Sequence, residues 1–507
     1  MHSGISPHLP QSDRFRQWGN FALLLCFTFG LFVLAMATWL YSSYLAVLPL
    51  AILLGITAGI LLKDPLRALS LTLLGFFLIL RKDPTLAILE MVFHAYLIGY
   101  LIYWFVSRSF FYKQTVLKDA ADWLFFLYLV YTTCTLYLTI VFGGKIAIAI
   151  SEWVPMTVFA IYFPIKEACY RHENGVRIIL GSVCALALIL VALNFYEYYT
   201  DLTSAVELWR IAEERVRSNE LLMMTMVIGL GVHVVYAPSN KYRLFALALL
   251  IPFAAGVLIT QSRSLWVATA LGGGITFLVS EGKQRRRLLL LGTGGLLAIL
   301  FIGFIFLNEY FLLVFTSFLD RFSSLQTATS KDISLINRFS EWSAAWEAIK
   351  LSPVLGHGYG VQFRFFDLTR EVTMVKSHIH SVYIGVFYRH GLIGLGLIGT
   401  FYLMSIKKAF FLVKFQGTSF QDKLLAIGAL SCLVSISLAA TTESLLLVDP
   451  GTITIALVTG LVAGRWHRYM ALQNDGLQND GIQNDDVKND GMQNTHLKGG
   501  SSTPPSS

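Results

Sequence analysis

His378 and His380 flank Ile379 just ahead of an apolar run that opens at Val382, and Arg338 lies upstream in the same polar stretch, Asn308 to His380. A neutral imidazole titrates near physiological pH and can take a proton from a hydroxyl, so His380 is a candidate general base with His378 beside it. At a membrane boundary a lone histidine is more often a hydrogen-bonding residue than a base. A His-x-His pair can also ligate a metal, but no nearby carboxylate or cysteine completes a ligand set, and no metal is assigned. Arg263 sits in TQSRSLW between two apolar runs, where an arginine is costly unless it faces a cavity or a partner.

A third basic group lies in VELWRIAEERVRSNELL. Arg210 with Glu214, and Glu213 with Arg217, are i,i+4 pairs that could simply stabilise a surface helix, whereas Arg215 has no acidic residue at that spacing. Arg215, Arg263 and Arg338, with Arg217 as a further candidate, are expected to converge on one outer pocket. Guanidinium forks there would suit a pyrophosphate, whose oxygens they hold through paired, charge-assisted hydrogen bonds.

The elements that position these residues read as membrane helices. With 55% hydrophobic and 14% charged residues over 507, no ordinary soluble surface can be covered, and the chain is read as an all-α polytopic membrane protein. Apolar runs near the spanning length of about 20 residues recur at 20–40, 45–62, 86–106, 121–142, 176–195, 221–237, 243–260, 264–280, 288–307, 382–403, 424–442 and 451–465. Weaker runs at 66–80 and 146–165 raise the expected count from twelve to fourteen. Placing fourteen spans puts the basic clusters, among them Arg108/Lys113/Lys118, Arg171/Arg177, Lys407/Lys408/Lys414 and Arg465/Arg468, on one side, the cytoplasmic one. Both termini are then cytoplasmic, including residues 1–19, and Arg263 and the large helical loop 308–380 lie outside. The net charge of +8 belongs mostly to these topogenic loops and argues for membrane insertion, not nucleic acid.

The first apolar run, from Asn20, reads as an uncleaved anchor. Cys26, Cys134, Cys169, Cys184 and Cys432 fall in or beside spans without a spacing motif, so structural disulfides are not expected. The membrane domain is assigned to 20–470. From 471 to 507 a five-residue repeat of the type LQNDG gives way to Gly, Ser and Pro, and is expected to be a disordered cytoplasmic tail.

Within the outer loop, NRFSEWSAAWEAIKLSP predicts a helix with Arg338, Trp342 and Trp346 on one face, ended by Pro353. Its tryptophans suit an interfacial position. The glycines of GHGYG, Gly356, Gly358 and Gly360, predict a tight turn.

Three stretches taken in order resemble the O-antigen ligase and polymerase superfamily of bacterial envelope glycan transferases, together covering about residues 260 to 400. TQSRSLWVATALGG looks like its Ser-Arg-small segment, and NRFSEWSAAWEAIKLSPVLGHGYG like its Arg, Trp, Ala, Pro, Gly-x-Gly pattern. HSVYIGVFYRHGLIGLGLIG looks like its His-Asn-x-Tyr-Leu segment, with Ser381 where the family often has Asn.

The resemblance implies a GT-C-like membrane fold in the bacterial inner membrane. It also implies transfer of a glycan from an undecaprenyl-pyrophosphate carrier to a sugar hydroxyl, without a metal or other cofactor. The family's base falls on His380, its donor-binding arginines on Arg263 and Arg338, and less directly on Arg215 and Arg217. His378, Trp342 and Tyr383 are supporting candidates. The acceptor is expected to be lipid A core, as in O-antigen ligation, because one large outer loop dominates; a polymerase joining lipid-linked repeat units is the alternative. A transporter of lipid-linked glycan remains a reading from another class, with Glu90 and His94 as its intramembrane candidates.

Overall fold

Helices begin where a polar side chain can satisfy the first free backbone N–H groups. Asp119, Ser239, Ser381 and Ser419 each accept such a hydrogen bond, from Asp122, Tyr242, Ile384 and Asp422. The computed structural model describes residues 88–204, 219–306, 333–368, 370–447 and 449–493, together with residues 52, 56, 69, 70, 72 and 73. Its elements in order are α1 (Ile88–Val106), α2 (Ala120–Cys134), α3 (Leu136–Val141), α4 (Ile146–Phe159), α5 (Tyr162–Arg171), α6 (Gly175–Ser204) and α7 (Glu220–Tyr236). There follow α8 (Asn240–Ile259), α9 (Arg263–Val279), α10 (Gly282–Phe306), α11 (Ile333–Ile349), β1 (Phe363–Asp367), β2 (Val372–Lys376), α12 (Val382–Lys414), α13 (Phe420–Ala439) and α14 (Asp449–Gln493).

The protein is an all-α polytopic membrane protein. Among the described residues, six helical stretches are long and apolar enough to cross a membrane: Ala120–Val141, Ile146–Arg171, Gly175–Thr200, Asn240–Ile259, Val382–Lys414 and Phe420–Ala439. Helices α7 and α9 are shorter apolar ones. The runs predicted at 20–40, 45–62 and 66–80 lie outside the described residues apart from isolated positions.

Helix α12 packs on α2, α13 and α14, and α13 in turn on α7 and α9. The two ends of this bundle are chemically distinct. At one end, Lys408 of α12 pairs with Asp119 at 2.7 Å, Lys166 of α5 with Asp122 at 2.6 Å, and Arg465 of α14 with Asp422 at 2.8 Å. At the other end lie the start of α12, the end of α13, and the α11 and β-hairpin segment.

That segment is welded to a break in α12. Gly391 leaves helical geometry (φ 59°, ψ −164°), which frees backbone groups that a membrane protein must satisfy internally. The loop after α11 supplies the partners: His357 N–H donates to Tyr388 O and Gly358 N–H to Arg389 O, both at 2.9 Å, while Leu392 N–H donates to Pro353 O at 2.9 Å. A Cβ at Gly391 would overlap the Val354 carbonyl, and one at Gly356, with φ 78°, the Arg389 carbonyl. Because that backbone region is essentially confined to glycine and costs other residues on the order of 1–3 kcal/mol before any overlap, Gly391→Ala is expected to cut the yield of monodisperse protein severalfold. Size-exclusion chromatography of detergent extracts reads this directly, and an undiminished peak would mean the break tolerates a side chain.

Two features of the fold add to the sequence reading. The segment expected as a helical loop also holds a short hairpin: β1 and β2 pair antiparallel from Phe363 opposite Lys376 to Asp367 opposite Val372. FRFFD alternates buried and exposed side chains, Phe363 and Phe365 turning inward, which is strand periodicity. Helix α14, which begins at Asp449, runs on to Gln493. A helix already formed adds a backbone hydrogen bond with each residue it fixes and needs no core to extend.

Candidate functional site

Helix α11 turns Glu341, Ala345 and Ile349 inward, at 2%, 0% and 2% exposure. These sit at i, i+4 and i+8, one position round from the Arg338, Trp342 and Trp346 face. Small Ala345 lets the helix approach its neighbours, whereas Trp346 stays half-exposed with its ring edge-on to Phe387 at 5.8 Å. Trp342 is partly buried and meets Phe339 edge-on at 5.4 Å.

Glu341 is therefore a carboxylate on an otherwise apolar stripe, and it faces His380. The Glu341 Oε2 to His380 Nδ1 distance is 2.8 Å, leaving Nε2 for another partner. Among the described residues, the second Glu341 oxygen is buried without a hydrogen bond.

The backbone that carries His380 is held on both sides. Ser444 donates to Ile379 O at 2.6 Å, Val382 N–H donates to Ala440 O at 2.8 Å, and Arg389 Nη2 donates to Ser377 O at 2.7 Å. Arg389 is itself paired with Glu152 of α4 at 3.1 Å, and Glu152 also accepts the Gly360 N–H at 3.0 Å. One buried carboxylate thus ties α4, α12 and the glycine loop together. Ser381 caps α12, a task Ser and Asn perform about equally well, so its presence where the family often has Asn preserves the cap.

The His378 ring lies 5.4 Å from that of His380, edge to face. Desolvation and then the neighbouring His380, Lys376 and Arg389 push the His378 pKa down to about 4, so it is neutral at pH 7. Tyr383 turns toward α13, donating its hydroxyl to Ser437 O at 2.9 Å.

Arg338, the first turn of α9 and the end of α13 meet at Glu443. Its Oε1 lies 3.6 Å from Arg338 Nη2 and accepts a hydrogen bond from Ser264 at 3.2 Å. Ser264 adjoins Arg263, the half-buried first residue of α9. Arg263, Arg338 and His380 therefore share one end of the bundle. Arg215 and Arg217 lie outside the described residues.

At the opposite end, Asp119, Asp122 and His467 bring potential ligand atoms within 4.8 Å of one another. Lys166 and Lys408 already occupy those carboxylates, which makes the group a buried ion-pair cluster. The two intramembrane residues singled out for transport, Glu90 and His94, are buried in α1, with His94 Nδ1 2.7 Å from the Glu90 backbone carbonyl.

Residues 245–399 match the family model described as O-antigen ligase. Over that segment the chain is similar to an O-antigen ligase domain. No curated protein matches the chain. The O-antigen ligase span runs from α8 into α12 and encloses Arg263, Arg338, Glu341, His378 and His380. It leaves out Glu152 and Glu443, so residues on α4 and after α13 brace the candidate site from outside the matched segment.

Sequence reasoning missed Glu341, Glu443, Glu152 and Arg389. A signal existed for Glu341, since it continues the Ala345 and Ile349 stripe. Another existed for Arg389, an arginine inside an apolar run.

Proposed function

We propose that the protein transfers a glycan from an undecaprenyl-pyrophosphate carrier to a sugar hydroxyl at the periplasmic face of the bacterial inner membrane, with lipid A core as acceptor. The observation that carries this reading is the gathering of Arg263, Arg338 and the His380–Glu341 pair at one end of a membrane bundle, within the family-matched segment. Arg338 and Arg263 hold the pyrophosphate and stabilise the charge that develops as the anomeric carbon–oxygen bond breaks. The acceptor hydroxyl attacks that carbon and gives its proton to His380 Nε2. Glu341 accepts the Nδ1–H, fixes the tautomer, and complements the imidazolium that forms. Undecaprenyl pyrophosphate leaves, and the new bond joins glycan to acceptor.

The long segment between α10 and α12 supports ligation over polymerisation. A strain lacking the gene tests it: modal-length polymer is expected to persist on the carrier and to be absent from lipid A, read on gels of surface and carrier-linked glycan. Chains reduced to a single repeat unit still attached to lipid A would point to polymerisation instead.

A further inference from the structure

At the end of the bundle remote from His380, a shallow recess opens between α1, the 114–118 loop and α5. Positive charge is in surplus around it. Arg108, Lys118, Lys166 and Arg171 bring four cations, against Glu167 and, behind Lys166, Asp122. Glu167 is shared by two of them, pairing with both Arg108 and Arg171. Lys118 packs its ammonium over the Tyr170 ring at 3.1 Å.

A second, independent feature points the same way. Trp104 also lines the recess, is only 5% exposed, and has an indole N–H without a hydrogen-bond partner among the described residues. A buried donor left unsatisfied is costly, and indole can only donate. The recess is short of both an acceptor and a negative charge.

We infer that it is a binding site for a phosphate-bearing anion, supplied by the headgroup of an anionic membrane lipid. Oxygens of a phosphodiester provide the acceptor that Trp104 lacks and a counter-charge for Lys118, and basic pockets between membrane helices suit such headgroups. Arg108, which lines the recess, sits 4.9 Å over the ring of the exposed Tyr112, which offers acyl chains an apolar approach. Desolvation and then the Arg171 cation lower the Lys118 pKa, as expected where cations crowd together.

The test uses the purified full-length protein. Native mass spectrometry after incubation with mixed micelles of phosphatidylglycerol or phosphatidylcholine is expected to show retained phosphatidylglycerol only. Lys118→Gln removes one charge-assisted hydrogen bond on an exposed side chain and is expected to weaken retention roughly tenfold. Trp104→Phe keeps the ring's packing but removes the N–H, and is expected to weaken retention severalfold. Equal retention of both lipids, or phosphatidylglycerol retention unchanged in both variants, would overturn the site. Millimolar inorganic phosphate separates the sources: thermal stabilisation of the wild type by phosphate, with no effect of phosphatidylglycerol, would overturn the lipid assignment. Because the readout is lipid retention, it stands or falls independently of the transfer reaction.

Discussion

His380→Ala is expected to abolish surface glycan when it replaces the wild-type copy in a deletion strain, while the protein remains at normal abundance in the membrane. Loss of a positioned general base costs on the order of 10²- to 10⁴-fold in rate, enough to empty the ligated ladder on a gel. Abundance is expected to hold because the His380 backbone is fixed by neighbours other than its ring: Ser444 and Ala440 on one side, Arg389 through Ser377 on the other. Normal glycan at normal abundance would remove His380 from the reaction.

Glu341→Gln separates orientation from charge at the same pair. Glutamine can keep a contact with Nδ1 at the 2.8 Å now spanned by the carboxylate, but it carries no charge and can present its amide N–H to the ring, favouring the wrong tautomer. Activity is expected to fall by roughly 10²-fold. Because Glu341 is buried with one oxygen unpartnered among the described residues, replacing it by a neutral amide also removes a buried charge that a single contact with His380 offsets, so folded abundance is expected to be at least that of the wild type. A purely structural glutamate would give the reverse pattern, lower abundance with activity per molecule unchanged.

How much of this was legible in the chain depends on which physics selects the residue. Spanning a bilayer demands about 20 apolar residues in helical form, a local requirement, and the predicted runs from 121–142 to 424–442 coincide with helices wherever residues are described. The β-hairpin left little trace. Its turn runs through Glu371, a non-glycine residue at φ 51°, so the connection DLTRE carries none of the glycine, asparagine or proline that usually announces one. His380 and Arg338 were visible because polar residues are rare in such a chain. Glu443 and Glu152 were not, because each acquires meaning only from partners far away in sequence: Glu443 from Arg338 and Ser264, Glu152 from Arg389 and Gly360. The inward face of α11 lay within reach of periodicity, but tryptophan drew attention to the adjacent stripe, although alanine is what permits close helix approach.

Arg338→Lys probes the other half of the proposed chemistry, and its interest lies in what lysine can still do. The pair with Glu443 is long, 3.6 Å from Nη2, and both side chains keep some contact with solvent. It is therefore mainly a Coulombic attraction that an ammonium can reproduce, and Ser264 continues to hold Glu443 in place. The lysine variant is thus expected to fold and insert normally. A pyrophosphate asks for more than charge: a planar fork engages two oxygens at once, whereas an ammonium acts as a point charge on a flexible stem. Losing one such charge-assisted bond is worth roughly 1.5–3 kcal/mol, so transfer is expected to drop about 10- to 100-fold, with carrier-linked glycan accumulating as lipid A-linked glycan declines. Glu443→Gln gives the complementary result. It releases Arg338 from its internal anion and leaves the guanidinium intact, so donor use is expected to be retained or improved. Full activity in Arg338→Lys would show that this position supplies only charge and would remove the pyrophosphate fork from the mechanism.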